Sequence, residues 1–453
     1  MVVAMLTAFR RLRTGWAQNP VVRSRLASIG HLLSGNVLNA VIMLVGISIA
    51  ARALGAAEYG VMVLILTFGR VFERLVRFES WQPLIRFAAQ EELGSDPPRL
   101  AQLYLYGLFL DIGAAFLAAF LAVGFGYFLA SAVGLGQEHF ALIAIYSVAI
   151  ALNIRGMPTA ALRMSGSFRT IAYCQLITSV VRVGLAFVCL FQGGGLLSFI
   201  LVWTGSQILG AAIFLWLGFR ALEKAGTPSP LTASPKSMRR NFPGFLGFAW
   251  STNLSSTLRM LTQEADTLLV GALAGTTSVG VYHIAKRCAK VALQVGAQVQ
   301  TVIYPDMARL WANDRIADFR AVTLKVQAAL GAVALCLLAG AWLLGDLVIR
   351  IALGSDFDAT YPLLLAQLVA VGLIMHAAPS RSALLAMNQP RFVLVVAFIA
   401  TILFFGIAVS LTPMLGPMGA SIAHIGFAGF TAIMLDYAWL KKSRISAVVH
   451  RDS

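Results

Sequence analysis

The sequence predicts an all-α polytopic membrane protein of about twelve transmembrane helices, arranged as two six-helix bundles related by a parallel pseudo-twofold repeat. Three observations predict it: an excess of apolar over charged residues, apolar runs of membrane-spanning length along the chain, and a self-similarity at an offset of about 220 residues. Of the 453 residues, 59% are hydrophobic and 12% charged. A soluble domain is about 45–50% apolar and about 25% charged, so the surplus here must face lipid. A hydrocarbon layer about 30 Å thick needs about 20 helical residues to cross it. Lipid forces helices, because each unpaired backbone group there costs several kcal/mol.

The runs place helices at roughly 29–53, 61–85, 104–130, 140–161, 171–191 and 196–219, then at roughly 246–271, 280–305, 326–344, 361–380, 392–410 and 418–440. This divides the chain into a basic segment (1–28), a first bundle (29–219), a linker (220–245), a second bundle (246–440) and a basic tail (441–453). The linker is marked by Pro228, Pro230, Pro235 and Pro243 among Ser, Thr and basic residues. Residues 1–28 lack the apolar core and cleavage site of a signal peptide. Their Arg-rich pattern suits a segment on an anionic inner leaflet or a solvated tail.

A formal net charge of +16 raises the question of nucleic acid, which the positions of the 35 basic residues answer. Arg10, Arg11, Arg13, Arg239, Arg240, Lys441 and Lys442 lie on the amino-terminal side of the membrane by helix counting, and only Arg52 and Arg350 fall in opposite-side loops. This is the positive-inside pattern, so both termini and the linker are expected in the cytoplasm, and no nucleic acid is implied. Cys174, Cys189, Cys288 and Cys336 fall in or beside spans without ligand spacing, indicating neither a disulfide framework nor a metal site.

The repeat is visible residue by residue. Gly55 and Gly60 in LGAAEYG answer Gly275 and Gly280 in AGTTSVG; Pro83 answers Pro305, Arg99 answers Arg320, Ala161 and Leu162 answer Ala383 and Leu384, and Arg169 answers Arg391. Six helices per half is an even number, so both halves enter from the same side. A parallel repeat puts the binding site between the bundles near the midplane.

Nine basic residues remain inside predicted spans: Arg70, Arg74, Arg77, Arg155, Arg182, Arg259, Lys286, Arg287 and Lys290. Each costs at least about 2.5–3.5 kcal/mol at helix depth unless it faces a bundle interior or an aqueous cavity. Arg70, Arg74 and Arg77 share one helix face, as do Lys286 and Lys290, and Arg70 and Lys290 are repeat equivalents. With Arg287 set aside as pointing elsewhere, the other eight form the expected cationic cavity. Acids at comparable depth are few, namely Glu73 and Asp111, with Glu264 and Asp266 nearer the far side. The cleft therefore suits an anion, unless Glu73 and Glu79 merely pair with the neighbouring arginines. Glu73 and Asp266 are candidates for proton or sodium coupling; Asp266 also suits a local pairing role. His376 and His424 suit helix–helix hydrogen bonding. Enzyme signatures are absent at suitable places, extracytoplasmic loops are short, and no cofactor is expected.

Residues 51–90, ARALGAAEYGVMVLILTFGRVFERLVRFESWQPLIRFAAQ, with their partner run at 266–310 and AMNQPRF at 386–392, resemble the polysaccharide-transport family of oligosaccharide flippases. That family belongs to the superfamily of multidrug extruders and the lipid II flippase. Leu54, Gly55, Tyr59, Gly60, Asp266, Gly280, Tyr282 and Pro305 carry the resemblance. It implies a multi-pass protein of the bacterial inner membrane that moves an undecaprenyl-(pyro)phosphate-linked oligosaccharide from the inner to the outer leaflet, alongside a polysaccharide polymerase and glycosyltransferases. It also implies a lateral portal for the lipid tail near the first and eighth helices. A drug extruder of the same fold and a non-transporting scaffold of a glycan-assembly complex are the alternatives. A cationic cleft fits the phosphate cargo, since arginine grips phosphate oxygens with a planar fork.

Overall fold

The computed structural model describes residues 20–78, 80–94 and 96–449, with the side chains of 20–38, 91–94, 252, 254–263, 295–303, 305 and 445–449 outside that description. The described chain is helical. Helix α1 runs Pro20–Val76, α2 Trp81–Gly94, α3 Pro97–Leu129, α4 Phe140–Ala151, α5 Gly156–Met164, α6 Phe168–Phe191 and α7 Leu196–Lys224. A short α8 (Met238–Asn241) precedes α9 (Phe245–Ala312), α10 (Ile316–Leu353), α11 (Thr360–Ala386), α12 (Pro390–Leu415) and α13 (Pro417–Val449). Among the described residues ten stretches are long and apolar enough to cross a membrane.

Helices α1 and α9, of 57 and 68 residues, each hold a pair of spans. Helix α1 is broken at Gly55 (φ 69, ψ 174) and α9 at Gly275 (φ 81, ψ 176), the pair matched by the sequence repeat. Only glycine tolerates that backbone region without strain, so the same residue makes the same break in each half. Dividing the two helices there yields the twelve spans. Later elements keep the repeat too. Helices α6 and α12 begin at Phe168 and Pro390, just after the left-handed residues Gly166 (φ 68) and Asn388 (φ 57), glycine and asparagine being the residues that accept this geometry.

The halves meet across the pseudo-twofold at a second glycine pair. A Cβ on Gly60 would lie 1.8 Å from the Thr276 carbonyl oxygen, and one on Gly280 would lie 2.3 Å from the Ala56 carbonyl oxygen. Since Ala56 and Thr276 are themselves repeat equivalents, the contact is self-complementary, as a twofold requires. Around it Tyr59, Leu64, Val279 and Tyr282 bury into one hydrophobic core drawn from both halves. A separate cluster fills the first half, and three more fill the second.

Two spans depart from the expected form. The second ends at Val76 and resumes as α2, with Pro83 in the first turn, where its missing N–H is harmless. Its counterpart in α9 continues past Pro305 to Ala312. The fourth is divided into α4 and α5: Pro158 has no N–H to give to Ile154, which favours a new helix start at Gly156. The linker is an ordered strap, not a loose tether. Gln102 of α3 donates to the carbonyls of Ser234 and Lys236 and accepts from Asn241, while Phe242 and Phe245 bury in the first half's core.

Adding a methyl at either contact glycine should push the halves apart. Gly60→Ala and Gly280→Ala should each lower the thermal unfolding temperature of the purified protein by several degrees, whereas Gly113→Ala, with open space around it, should leave it unchanged or raised. Equal behaviour of all three variants would contradict the close-approach role.

Candidate functional site

Arg70 lies on the second arm of α1, about 22 Å along the helix from Gly55 at about 1.5 Å per residue. It donates through Nη2 to Thr67 Oγ1 at 2.8 Å and to Glu264 Oε2, on the first arm of α9, at 3.3 Å. This ion pair crosses from one half to the other, with side chains 27% and 12% exposed. Its Nε is buried and has no acceptor among the described residues.

Five residues on α9's second arm, Tyr282, His283, Lys286, Arg287 and Lys290, lie around the seam. Lys286 is taken up by Asp266, a fully buried carboxylate that receives Lys286 Nζ at 2.6 Å, Tyr282 Oη at 2.8 Å, the Thr267 amide at 2.7 Å and His424 Nε2 at 2.9 Å. Removing either member of such a buried pair costs about 3–5 kcal/mol, so the quartet ties the two arms of α9 to α13. Arg287 donates Nε–H to His283 Nε2 at 3.1 Å. The guanidinium can only donate, so His283 carries its proton on Nδ1 and is neutral, giving that proton to the Tyr59 hydroxyl at 2.9 Å across the seam. Lys290, half-buried, has no hydrogen bond or ion pair to a described residue.

In the first half, the ends of α1 and α4 and the starts of α2 and α5 converge. Glu73 Oε1 receives Arg77 Nη1 at 2.7 Å and Asn153 Nδ2 at 2.6 Å, and Arg155 Nε donates to Asn153 Oδ1 at 2.8 Å. Asp111 of α3 takes the Met157 amide at 2.6 Å and the Ser80 hydroxyl, so one carboxylate caps α5 and holds the residue before α2. Negative charge at a helix start is favourable. Gly156 makes this possible, since a Cβ there would collide with Ser80 Oγ. Glu73, Arg77, Asp111, Asn153 and Arg155 line a small cavity. Arg182 of α6 donates to Ser206 at 2.8 Å and stacks 5.6 Å over Trp203.

The cations expected from the sequence thus separate into two kinds. Among the described residues, Arg70, Arg77 and Lys286 have carboxylate partners; Arg155, Arg182 and Lys290 do not, and Arg287, set aside in the sequence reading, joins them. Arg74 is half-buried one turn beyond Arg70. The side chain of Arg259, and Glu79 altogether, lie outside the described residues. The fields of the described cations overlap: Arg182 lies within reach of Arg155 and Arg70, and Arg287 within reach of Arg70. His424 and His376 both bond a carboxylate on another helix, His376 through Asp436 at 2.9 Å. Sequence reading passed over Asp436, a lone acid in the last span whose partners His376 and Gln327 stand 60 and 109 residues away.

This geometry is that of a multi-pass membrane protein built as two pseudo-symmetric bundles, a transporter fold. The structure superposes on an inward-facing multidrug resistance MATE family transporter of the MOP superfamily with a TM-score of 0.72 at 13% identity, over 90% of this chain and 95% of that one. It superposes on the lipid II flippase MurJ in an inward closed conformation at 0.67 and 15% identity, over 92% and 90%. In sequence it is 23% identical to inner membrane protein YghQ of Escherichia coli (strain K12) over 295 residues, 65% of this chain and 83% of that protein. The family model described as polysaccharide biosynthesis protein matches residues 49–362, and the chain belongs to that family.

The Asp111 junction yields a coupled prediction. Asp111→Ala should cost about 1–3 kcal/mol, because the Met157 amide and Ser80 lose their acceptor together. Ser80→Ala should then add almost nothing in the Asp111→Ala background; thermal unfolding of the two single variants and the double variant measures it. Additive losses would mean that the two contacts are independent.

Proposed function

We propose that this protein is a flippase that carries a polyprenyl-(pyro)phosphate-linked oligosaccharide from the inner to the outer leaflet of the bacterial inner membrane, by alternating access between its two bundles. The observation that carries this reading is the set of membrane-depth cations with no carboxylate partner among the described residues, Arg155, Arg182, Arg287 and Lys290, whose fields join across the seam through Arg70. Such charges are costly in lipid and call for an anionic visitor. Membership of a polysaccharide biosynthesis family supports a glycan-linked anion, as does the shared fold with a lipid II flippase. YghQ, an inner membrane protein, supports the location.

In this reading the strap face is cytoplasmic and the Gly55 and Gly275 face is outer. The outer side is held shut by the Gly60 and Gly280 contact. Arg155, Arg182 and Lys290 meet the phosphate, while Arg77 and Lys286, already neutralised, set positions. Export of negative charge runs with an inside-negative potential, by about 2.3 kcal/mol per charge per 100 mV. Glu264, Asp266 and Glu73 are each committed to a cation, which disfavours a cationic drug as cargo. A coupling proton or sodium ion at Asp266 or Glu73 would have to compete with Lys286 or Arg77.

Arg182→Gln and Lys290→Gln, in protein reconstituted into vesicles with a polyprenyl-pyrophosphate-linked oligosaccharide, should each slow flipping at least about tenfold, the equivalent of about 1.4 kcal/mol, with normal insertion and gel-filtration behaviour. Wild-type rates in both variants would overturn the reading.

A further inference from the structure

We propose that Glu264 is a built-in stand-in for the cargo phosphate: its carboxylate occupies the anion position beside Arg70 when the cleft is empty, and exchange of carboxylate for phosphate releases the ion pair that joins the two bundles. The proposal rests on the flippase reading and adds to it the link between cargo arrival and movement.

Three observations lead to it. First, Glu264 is surrounded by positive charge beyond what one carboxylate balances. Arg70, Lys286, Lys290 and Arg287 all act on it, Arg70 foremost. Lys286 is already held by Asp266, Arg287 is held by a neutral imidazole, and Lys290 has no described partner. Second, the position is incompletely filled. Glu264 meets Arg70 by a single 3.3 Å contact at Nη2, while Arg70 Nε is buried with no acceptor among the described residues. A planar guanidinium is best satisfied by two oxygens accepting side by side, which a phosphate presents and this carboxylate contact does not. Third, the pair is placed to transmit its own breakage. Arg70 is fixed to α1 by Thr67, and Glu264 precedes by two residues the buried Asp266 that anchors α9. Loss of the bridge therefore acts on two rigid supports and leaves the outer seam to its glycine contact, its shared hydrophobic core and the Tyr59–His283 and Ser48–Ala352 hydrogen bonds.

The exchange balances in charge: Arg70 trades a monoanion for a phosphate carrying at least one negative charge, and the freed carboxylate stays among Lys286, Lys290 and Arg287. No bond is made or broken. A bridge that merely held helices together would not respond to a phosphate, whereas a stand-in does, and it needs its cation to remain where the phosphate arrives.

The test uses the full-length chain in vesicles, with Cys174, Cys189, Cys288 and Cys336 replaced by alanine and a reporter cysteine pair at Ser48 and Ala352. These two face each other across the outer seam, where Ser48 Oγ donates to the Ala352 carbonyl at 2.6 Å. Inorganic pyrophosphate is the probe. In otherwise wild-type protein it should reduce reporter cross-linking several-fold. Glu264→Gln should cross-link weakly without pyrophosphate, respond no further to it, and bind it about tenfold more tightly. The exchanged pair Arg70→Glu with Glu264→Arg keeps opposite charges across the seam but moves the cation to α9, among Lys286, Lys290 and Arg287, and should fail to respond. A Glu264→Gln variant with wild-type cross-linking and affinity would overturn the proposal, as would an exchanged pair that responds normally. Should Glu264→Gln not insert, the exchanged pair decides alone. If both pyrophosphate responses appear but the wild-type chain moves no lipid-linked oligosaccharide, the exchange stands and the flippase reading falls. Flipping that proceeds with the exchanged pair leaves the flippase reading intact and removes the stand-in.

Discussion

The approach of Gly60 to the Thr276 carbonyl, mirrored by Gly280 on that of Ala56, sets the distance between the two halves, and much else in the molecule follows from it. Lipid offers little hydrophobic drive for helix association, so contact depends on van der Waals packing, and small residues let backbones come close enough to gain it. The breaks at Gly55 and Gly275 deliver both contact glycines to the same level, five residues further on. At that level Tyr59 can reach His283, and deeper along the same helices Arg70 can reach Glu264. Each cross-seam polar contact is possible because two missing side chains leave room above it.

Below that contact, charge governs. A membrane cation needs a carboxylate, a neutral hydrogen-bonding partner or water, and the structure distributes these unevenly. Carboxylates go where rigidity is needed: Asp266 joins the arms of α9 to α13, Glu73 joins α1 to the α4–α5 junction, and Asp111 caps α5. Neutral partners go to Arg155, Arg182 and Arg287, which are oriented by Asn153, Ser206 and His283 but keep their full charge. A group held in place without being neutralised is one that can still act on something else.

How much of this was legible in the sequence depends on the range of the interaction. Helices, repeat and break points were legible because they are local or periodic: Gly55 and Gly275 announce themselves by recurring in matched surroundings. The intramembrane cations were legible as costly exceptions in apolar runs. Their pairing was not, since Arg70 and Glu264 lie 194 residues apart and His424 and Asp266 lie 158 apart, distances at which no sequence pattern relates two residues. The contacts of Arg287 were hidden for a different reason. Helical spacing turns it away from Lys286 and Lys290, but the seam wraps round α9, so a residue on the other face meets the opposite half through His283 and Tyr59. The linker's order was hidden as well. Proline and serine marked a linker, while the contacts that hold it come from Gln102 and from Phe242 burying in the first half's core.

That strap bears on how the bundles can move. The first arm of α9 starts inside the first half, with Phe245 in its core, Trp250 against Phe78 at 5.8 Å and Asn253 reaching the Leu75 carbonyl. It ends in the second half, where Asp266 is anchored on three sides. One helix thus belongs to both bundles, and relative motion has to be absorbed between its two anchored ends, since each end moves with a different half. Glu264 lies at the far limit of that interval, immediately before the second anchor. A contact made there is sensitive to the bundles' relative position, whereas one made beyond Asp266 would move with the second bundle alone.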